Sequence, residues 1–117
     1  MLAPVRRRDD FDALSRSRAR GRSGPVWIVR ASPSDGDDPA VRVAYAIPRT
    51  VGTAVVRNRL RRRLRAMIAE LHREGRLTPG LHLVGARPGA VDLPAAELRR
   101  HLASAVAAVA DPAGRDR

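Results

Sequence analysis

The chain has 117 residues and a formal net charge of +11, from 23 basic against 12 acidic side chains, and every basic residue is arginine. That length allows one domain with one core, and the absence of cysteine excludes disulfides and cysteine-ligated zinc and agrees with a reducing, cytoplasmic setting. No apolar run reaches membrane-spanning length, and the first residues, with Arg6, Arg7 and Arg8 ahead of Asp9 and Asp10, lack the apolar stretch of a signal peptide.

Residues 1–8 read as a basic N-terminal arm. A short helix is predicted over 10–16, capped by Asp9 or Asp10, with Phe11 and Leu14 on its inner face. The segment 15–25 is polar, is broken by glycine and proline, and reads as a basic loop with room for a brief extended piece, carrying Arg16, Arg18, Arg20 and Arg22. Two β-branched runs, 26–31 and 41–47, are predicted strands, the second with a period of two. The acidic, turn-rich segment 32–39 between them suits the connection of an antiparallel hairpin.

Pro48 ends the second strand, because it fixes its own backbone and removes a donor. Thr53 is placed to cap a long helix over 54–74, and Gly75 stops it. A third strand over 81–86 ends in the turn Arg87-Pro88-Gly89. A closing helix then starts at Pro94 and carries Leu98, Leu102, Ala105, Val106 and Val109 along one stripe. Residues 111–117 read as a frayed tail. A strand, a long helix and a further strand make a parallel crossover, so the fold class is α+β: a single small α/β sandwich ordered helix, strands, long helix, strand, helix, with helices mostly on one sheet face.

The long helix carries the charge. Six of the nine residues 57–65 are arginine, and no acidic residue occurs between Asp38 and Glu70. At about 100° per residue, Val56, Leu60, Leu64, Met67 and Leu71 fall on one face, while Asn58, Arg61, Arg62 and Arg65 point away. The pairs Arg57/Arg61, Arg59/Arg63 and Arg61/Arg65 are like charges four apart, each costing about 0.2–0.5 kcal/mol. Burial of the leucines, at about 1.5–3 kcal/mol each, outweighs this and leaves repulsion that a polyanion relieves. Guanidinium groups fit phosphate oxygens and stack on bases, which favours nucleic acid. Arginine without lysine also follows from a G+C-rich coding sequence, so the clustering weighs more than the residue choice. A membrane-surface role is disfavoured because the apolar side has no Trp or Phe.

No catalytic side-chain constellation emerges. His72, His82 and His101 do not share metal-pair spacing, Asp35, Asp37 and Asp38 read as a solvated turn, and Glu70 and Glu74 as helix-surface partners.

The stretch 51–65, Val-Gly-Thr-Ala-Val-Val-Arg-Asn-Arg-Leu-Arg-Arg-Arg-Leu-Arg, resembles the signature of the bacterial ribonuclease P protein family. A phenylalanine in a short first helix, a basic glycine-containing loop and the Ala86-Arg87-Pro88-Gly89 turn extend the likeness over roughly residues 5–109. The resemblance implies the protein subunit of a ribonucleoprotein endonuclease of tRNA processing, which removes the 5′ leader of precursor tRNA. It implies two partners, the ribonuclease P RNA subunit and the precursor tRNA, with no membrane and no obligate protein partner. The chemistry belongs to the RNA, which binds Mg2+; the protein alone binds no cofactor and has no catalytic residue.

The family fold is the ribosomal protein S5 domain 2-like fold, with a four-stranded sheet and a left-handed crossover. Carried over by position, Arg57, Asn58, Arg59, Arg61, Arg62 and Arg65 match the RNA-binding motif, and Arg16, Arg18, Arg20, Arg22 and Arg49 are candidate additional contacts. Phe11 matches the first aromatic of a leader cleft. Ser15 and Val29 stand where further aromatics are frequent, and Trp27, on the strand face of Val29, is the candidate replacement. Pro48-Arg49 stands where Ser-Lys is common, and Thr53 replaces a frequent Asn. The rival readings are a stand-alone RNA-binding protein of ribosomal or chaperone type, a DNA-binding protein, disfavoured because no helix-turn-helix partner precedes the arginine helix, and an enzyme in its own right, disfavoured by the missing side-chain site.

Overall fold

The β-branched runs pair into one mixed sheet in the computed structural model, which describes residues 1–33 and 38–110. The strands are β1 (Leu2–Pro4), β2 (Ala19–Ser23), β3 (Val26–Ala31), β4 (Val41–Ala46) and β5 (Gly80–Ala86); the helices are α1 (Arg8–Arg16), α2 (Ala54–Arg73) and α3 (Ala95–Ala110). Their spatial order is β1-β4-β5-β3-β2. β4 is parallel to β1 and to β5, as the crossover through α2 requires, while β3 is antiparallel to β2 and to β5.

Three expectations are corrected here. First, β3 and β4 are not the arms of a hairpin, because β5 lies between them: Gly85 is opposite Trp27 on one side and Ala46 on the other. Six of the seven β5 residues are buried, and a strand apolar on both faces gains most at the centre of a sheet. The connection at 34–37 lies outside the described residues; Asp38, just after it, accepts from Arg42 Nε at 2.6 Å and from the Ala40 amide at 2.9 Å.

Second, residues 1–8 are not a loose arm. The Val41 amide donates to the Met1 carbonyl at 2.8 Å, the Val5 amide donates to Val43 at 3.2 Å, and Val5 is buried. The charge of this segment sits in the exposed Arg6, Arg7 and Arg8, after the strand, so it does not oppose pairing. A strand therefore precedes the first helix, and the sheet has five strands where the resemblance implied four.

Third, the extended piece in the basic loop is not brief but a five-residue edge strand, β2. Its small residues face α3 and its arginines face away, a period-two pattern hidden by the glycine. Gly21 is where α3 approaches the backbone, since a Cβ there would lie 2.4 Å from the Ala105 carbonyl oxygen. Ser23 Oγ and His101 Nδ1, at 2.8 Å, join the same two elements.

The helices follow the pattern of the chain closely. Thr53 Oγ1 accepts from the Val56 amide at 3.3 Å and caps α2. Gly75, at φ +74°, ends it, with the Arg76 amide donating to Leu71 at 3.0 Å. α1 begins two residues earlier than expected: its N-cap is Arg7, with no side-chain cap, and Asp9 and Asp10 lie in the first turn, where carboxylates complement the helix dipole. Pro94 sits just before α3, its carbonyl accepting from Leu98 at 3.0 Å. The tail 111–117 lies outside the described residues.

Two of the three helices share a face. Leu60, Leu64, Met67, Ile68 and Leu71 of α2, with Leu98, Leu102, Ala105, Val106 and Val109 of α3, pack on Val26, Ile28, Val41, Val43 and Val84. On the opposite face Leu14 of α1 packs with Val5, Val29 and Leu81. His82 of β5, opposite Arg30 on one side and Val43 on the other, is buried. Among the described residues, no helix is long and apolar enough to cross a membrane.

Candidate nucleic-acid interface

Because the leucine face of α2 is against the sheet, its arginines are turned outward. Asn58, Arg59, Arg62 and Arg65 are exposed, and Arg57 and Arg61 are half-buried. None of these arginines is in an ion pair among the described residues, whereas the acidic end of the helix is neutralised: Glu70 and Glu74 both pair with Arg99, and Glu74 with Arg76. Arg61 Nη1 donates to Asn58 Oδ1 at 2.7 Å. Arg63 has another role, since its Nη2 donates to the Leu93 carbonyl at 2.8 Å and its Nη1 to Val91 at 3.4 Å, tying α2 to the segment before α3. The unmatched charge is therefore concentrated in the first half of the helix.

The Arg65 guanidinium lies over the Tyr45 ring, 5.6 Å from its centroid, within cation–π range. Burial outweighs the nearby Arg65 charge and pushes the Tyr45 phenol up to about 12, so it is a neutral hydroxyl near pH 7.

The other sheet face carries a different surface. Arg20 is opposite Val29 and Arg22 opposite Trp27, so all four side chains lie on the α1 side. With Arg87 they line a cavity of about 250 Å³. Trp27 lies flat on β5, where a Cβ at Gly85 would be 1.9 Å from its Cζ2. Val29, 3% exposed, is the floor of this cavity and is too covered by Leu14 to offer a stacking surface. Phe11 is 44% exposed on α1 and is not among the lining residues. Of the expected cleft residues, Trp27 and Val29 line this cavity together, while Phe11 is on the helix that packs on the same sheet face and is exposed, not on the inner side expected of it. Arg87 was not singled out by sequence reasoning, although it sits in the turn that carries part of the family likeness.

Arg16, Arg18 and Arg49 are exposed but line neither cavity; Arg49 opens a 3-10 turn, Arg49–Val51, ahead of α2. His82 is held neutral: burial, with the Arg30 charge adding to it, pulls its imidazole down to about 4. Guanidinium groups neither give up nor accept protons near neutral pH, so these surfaces are built to bind anions and to stack on bases.

Comparison with known proteins agrees with this chemistry. Residues 3–110 match the family model described as Ribonuclease P. A ribonuclease P protein component of Thermobifida fusca is 41% identical, the match covering 97% of this chain and 82% of that protein. One from Streptomyces bikiniensis is 39% identical, covering 87% of each. Two solved structures share the fold. The RNase P protein of Thermotoga maritima has a TM-score of 0.71 at 20% identity, over 89% of this chain and 94% of that one. A Staphylococcus aureus RNase P protein mutant has a TM-score of 0.76 at 16% identity, over 88% and 84%.

Proposed function

The chain belongs to the ribonuclease P protein family, and on that premise we propose that it is the protein subunit of the cytoplasmic ribonucleoprotein that removes the 5′ leader from precursor tRNA. In this reading Arg57, Asn58, Arg59, Arg61, Arg62 and Arg65 grip the phosphates of the catalytic RNA. The Trp27 cavity, rimmed by Arg20, Arg22 and Arg87, takes the single-stranded leader, with bases stacking on the indole.

One observation supports this reading most. The cationic helix and the Trp27 cavity lie on opposite faces of one sheet, so a large RNA engaged on α2 leaves the cavity free for a second strand. Among the described residues no three His, Cys, Asp or Glu side chains are grouped to hold a metal ion. In this reading magnesium held by the RNA would supply the Lewis-acid chemistry of the cleavage. The protein contributes binding and orientation.

The test mixes the purified protein with its cognate catalytic RNA and precursor tRNA at low magnesium. Leader removal should be faster than with RNA alone, and protein alone should cleave nothing. A rate no better than that of RNA alone overturns the proposal.

A further inference from the structure

β1 stops early, and that leaves an opening. It pairs with β4 only through Pro4 opposite Val43, so Ala44–Ala46 has no strand on its outer side among the described residues. By strand alternation Leu2, Pro4, Val43 and Tyr45 share the face that looks toward α2, and α2 overhangs them with Arg61 and Arg65. The space enclosed is about 520 Å³, lined by these residues with Ala3, Val5 and Ala44. It is the larger of the two cavities described, and neither arginine that borders it is spent on a carboxylate.

The chemistry of the walls is unequal. One side is apolar and ends in an aromatic ring; the other carries two cations one helical turn apart. An anion alone would use only the second, and an apolar body only the first. A nucleotide uses both, because a base presents a flat π-face and its phosphate a charge, and bases stack on aromatic rings and on guanidinium planes alike. The volume falls in the range of pockets that hold a small organic ligand, about 300–1,000 Å³, which suits one nucleotide and not a duplex. One detail favours a prearranged seat, the Arg61 guanidinium held by Asn58 Oδ1 at 2.7 Å; the Arg65 guanidinium, which lies over Tyr45 in the free protein, moves from the ring to the phosphate when a base takes its place.

We propose that the overhang between α2 and the β1/β4 edge is a seat for one unpaired ribonucleotide of the bound RNA, with its base against Tyr45 and the apolar strand face and its phosphate on Arg61 and Arg65. The proposal deepens the assignment of α2 to RNA and rests on it. It adds a point where that helix meets a base and not only phosphates, and where a base-paired segment does not fit.

The test uses the full chain and three probes: adenosine 5′-monophosphate, ribose 5-phosphate and inorganic phosphate, followed by NMR of the single tyrosine and of the Ala44 methyl group. Adenosine monophosphate should shift both signals and bind about tenfold more tightly than ribose 5-phosphate, the difference being the stacked base. Tyr45→Leu keeps the apolar volume and should reduce the nucleotide to the affinity of the sugar phosphate, while Tyr45→Phe should restore most of the loss. Arg61→Gln with Arg65→Gln should weaken all three probes. Equal affinities for nucleotide and sugar phosphate overturn the proposal, as does a nucleotide that shifts Trp27 and leaves Tyr45 unmoved. If Tyr45→Leu loses amide dispersion, Tyr45→Phe and the arginine pair carry the test. Since the probe is a free mononucleotide, a failure here leaves the leader-cleavage assay as an independent measure of the family function.

Discussion

Gly85→Ala is the substitution on which the Trp27 cavity can be judged. The added Cβ would lie 1.9 Å from Cζ2, 2.0 Å from Cε2 and 2.5 Å from Cη2 of the indole. Carbon atoms in contact sit about 3.5–4.0 Å apart, so the ring must retreat by at least about 1.6 Å or leave its rotamer. The backbone cannot yield instead, because β5 is paired on both sides. Overpacking of this kind costs about 1–3 kcal/mol, and each kcal/mol lowers Tm by about 4 °C in a domain of this size. Trp27 is the single tryptophan, so its emission reports the displacement directly, alongside urea unfolding and the affinity for leader-bearing against mature tRNA. Altered emission, a lower unfolding midpoint and a loss confined mainly to leader-bearing substrate are expected. Trp27→Leu in the Gly85→Ala background should recover stability, because the two sites are coupled only through the clash. Unchanged emission together with an unchanged midpoint would refute the placement of the indole on Gly85.

Three other outcomes can be checked. Arg59→Ala and Arg62→Ala should each lower the log–log salt slope of RNA binding by about 0.7–0.9, with thermal stability unchanged because neither side chain has a partner among the described residues; an unaltered slope would mean that these arginines touch no phosphate. For His82, the imidazole is pulled from 6.5 down to about 4, so the unfolded chain takes up the proton first as the pH falls. Its contribution is whole above about pH 6.5 and is lost toward pH 4, worth roughly 3 kcal/mol; His82→Leu should flatten that slope, and equal slopes in both proteins would sink the assignment. Thr53→Ala removes the α2 cap and should cost about 1 kcal/mol in urea unfolding, whereas no loss would show that the cap hydrogen bond is not formed in solution.

Local pattern was enough for the helices and for the basic half of the site. The leucine repeat from Leu60 to Leu71, the Thr53 cap and the Gly75 stop lie within a few residues of the groups they act on, so α2 and its outward arginines are legible from the chain alone. The same holds for the stripe of α3 and for Trp27 and Val29 sharing a strand face. Arg63 is different: it lies within the signature stretch, and only the structure gives it a distinct task on the carbonyls of Val91 and Leu93.

Strand order was not legible, because it is decided by partners far apart in the sequence. A three-residue strand such as β1 has no periodicity to detect, and it forms only because β4 offers an open edge to Leu2–Pro4. β5 takes the centre of the sheet because both its faces need covering, which displaces the hairpin that 26–47 suggests by itself. The flat seat of Trp27 on Gly85, the early end of β1 beside Tyr45, and the division of the two basic surfaces between opposite sheet faces all follow from that order. Short-range spacing and charge specified which surfaces the chain would own; long-range pairing, driven by burial of the most apolar strand, decided where those surfaces lie relative to one another.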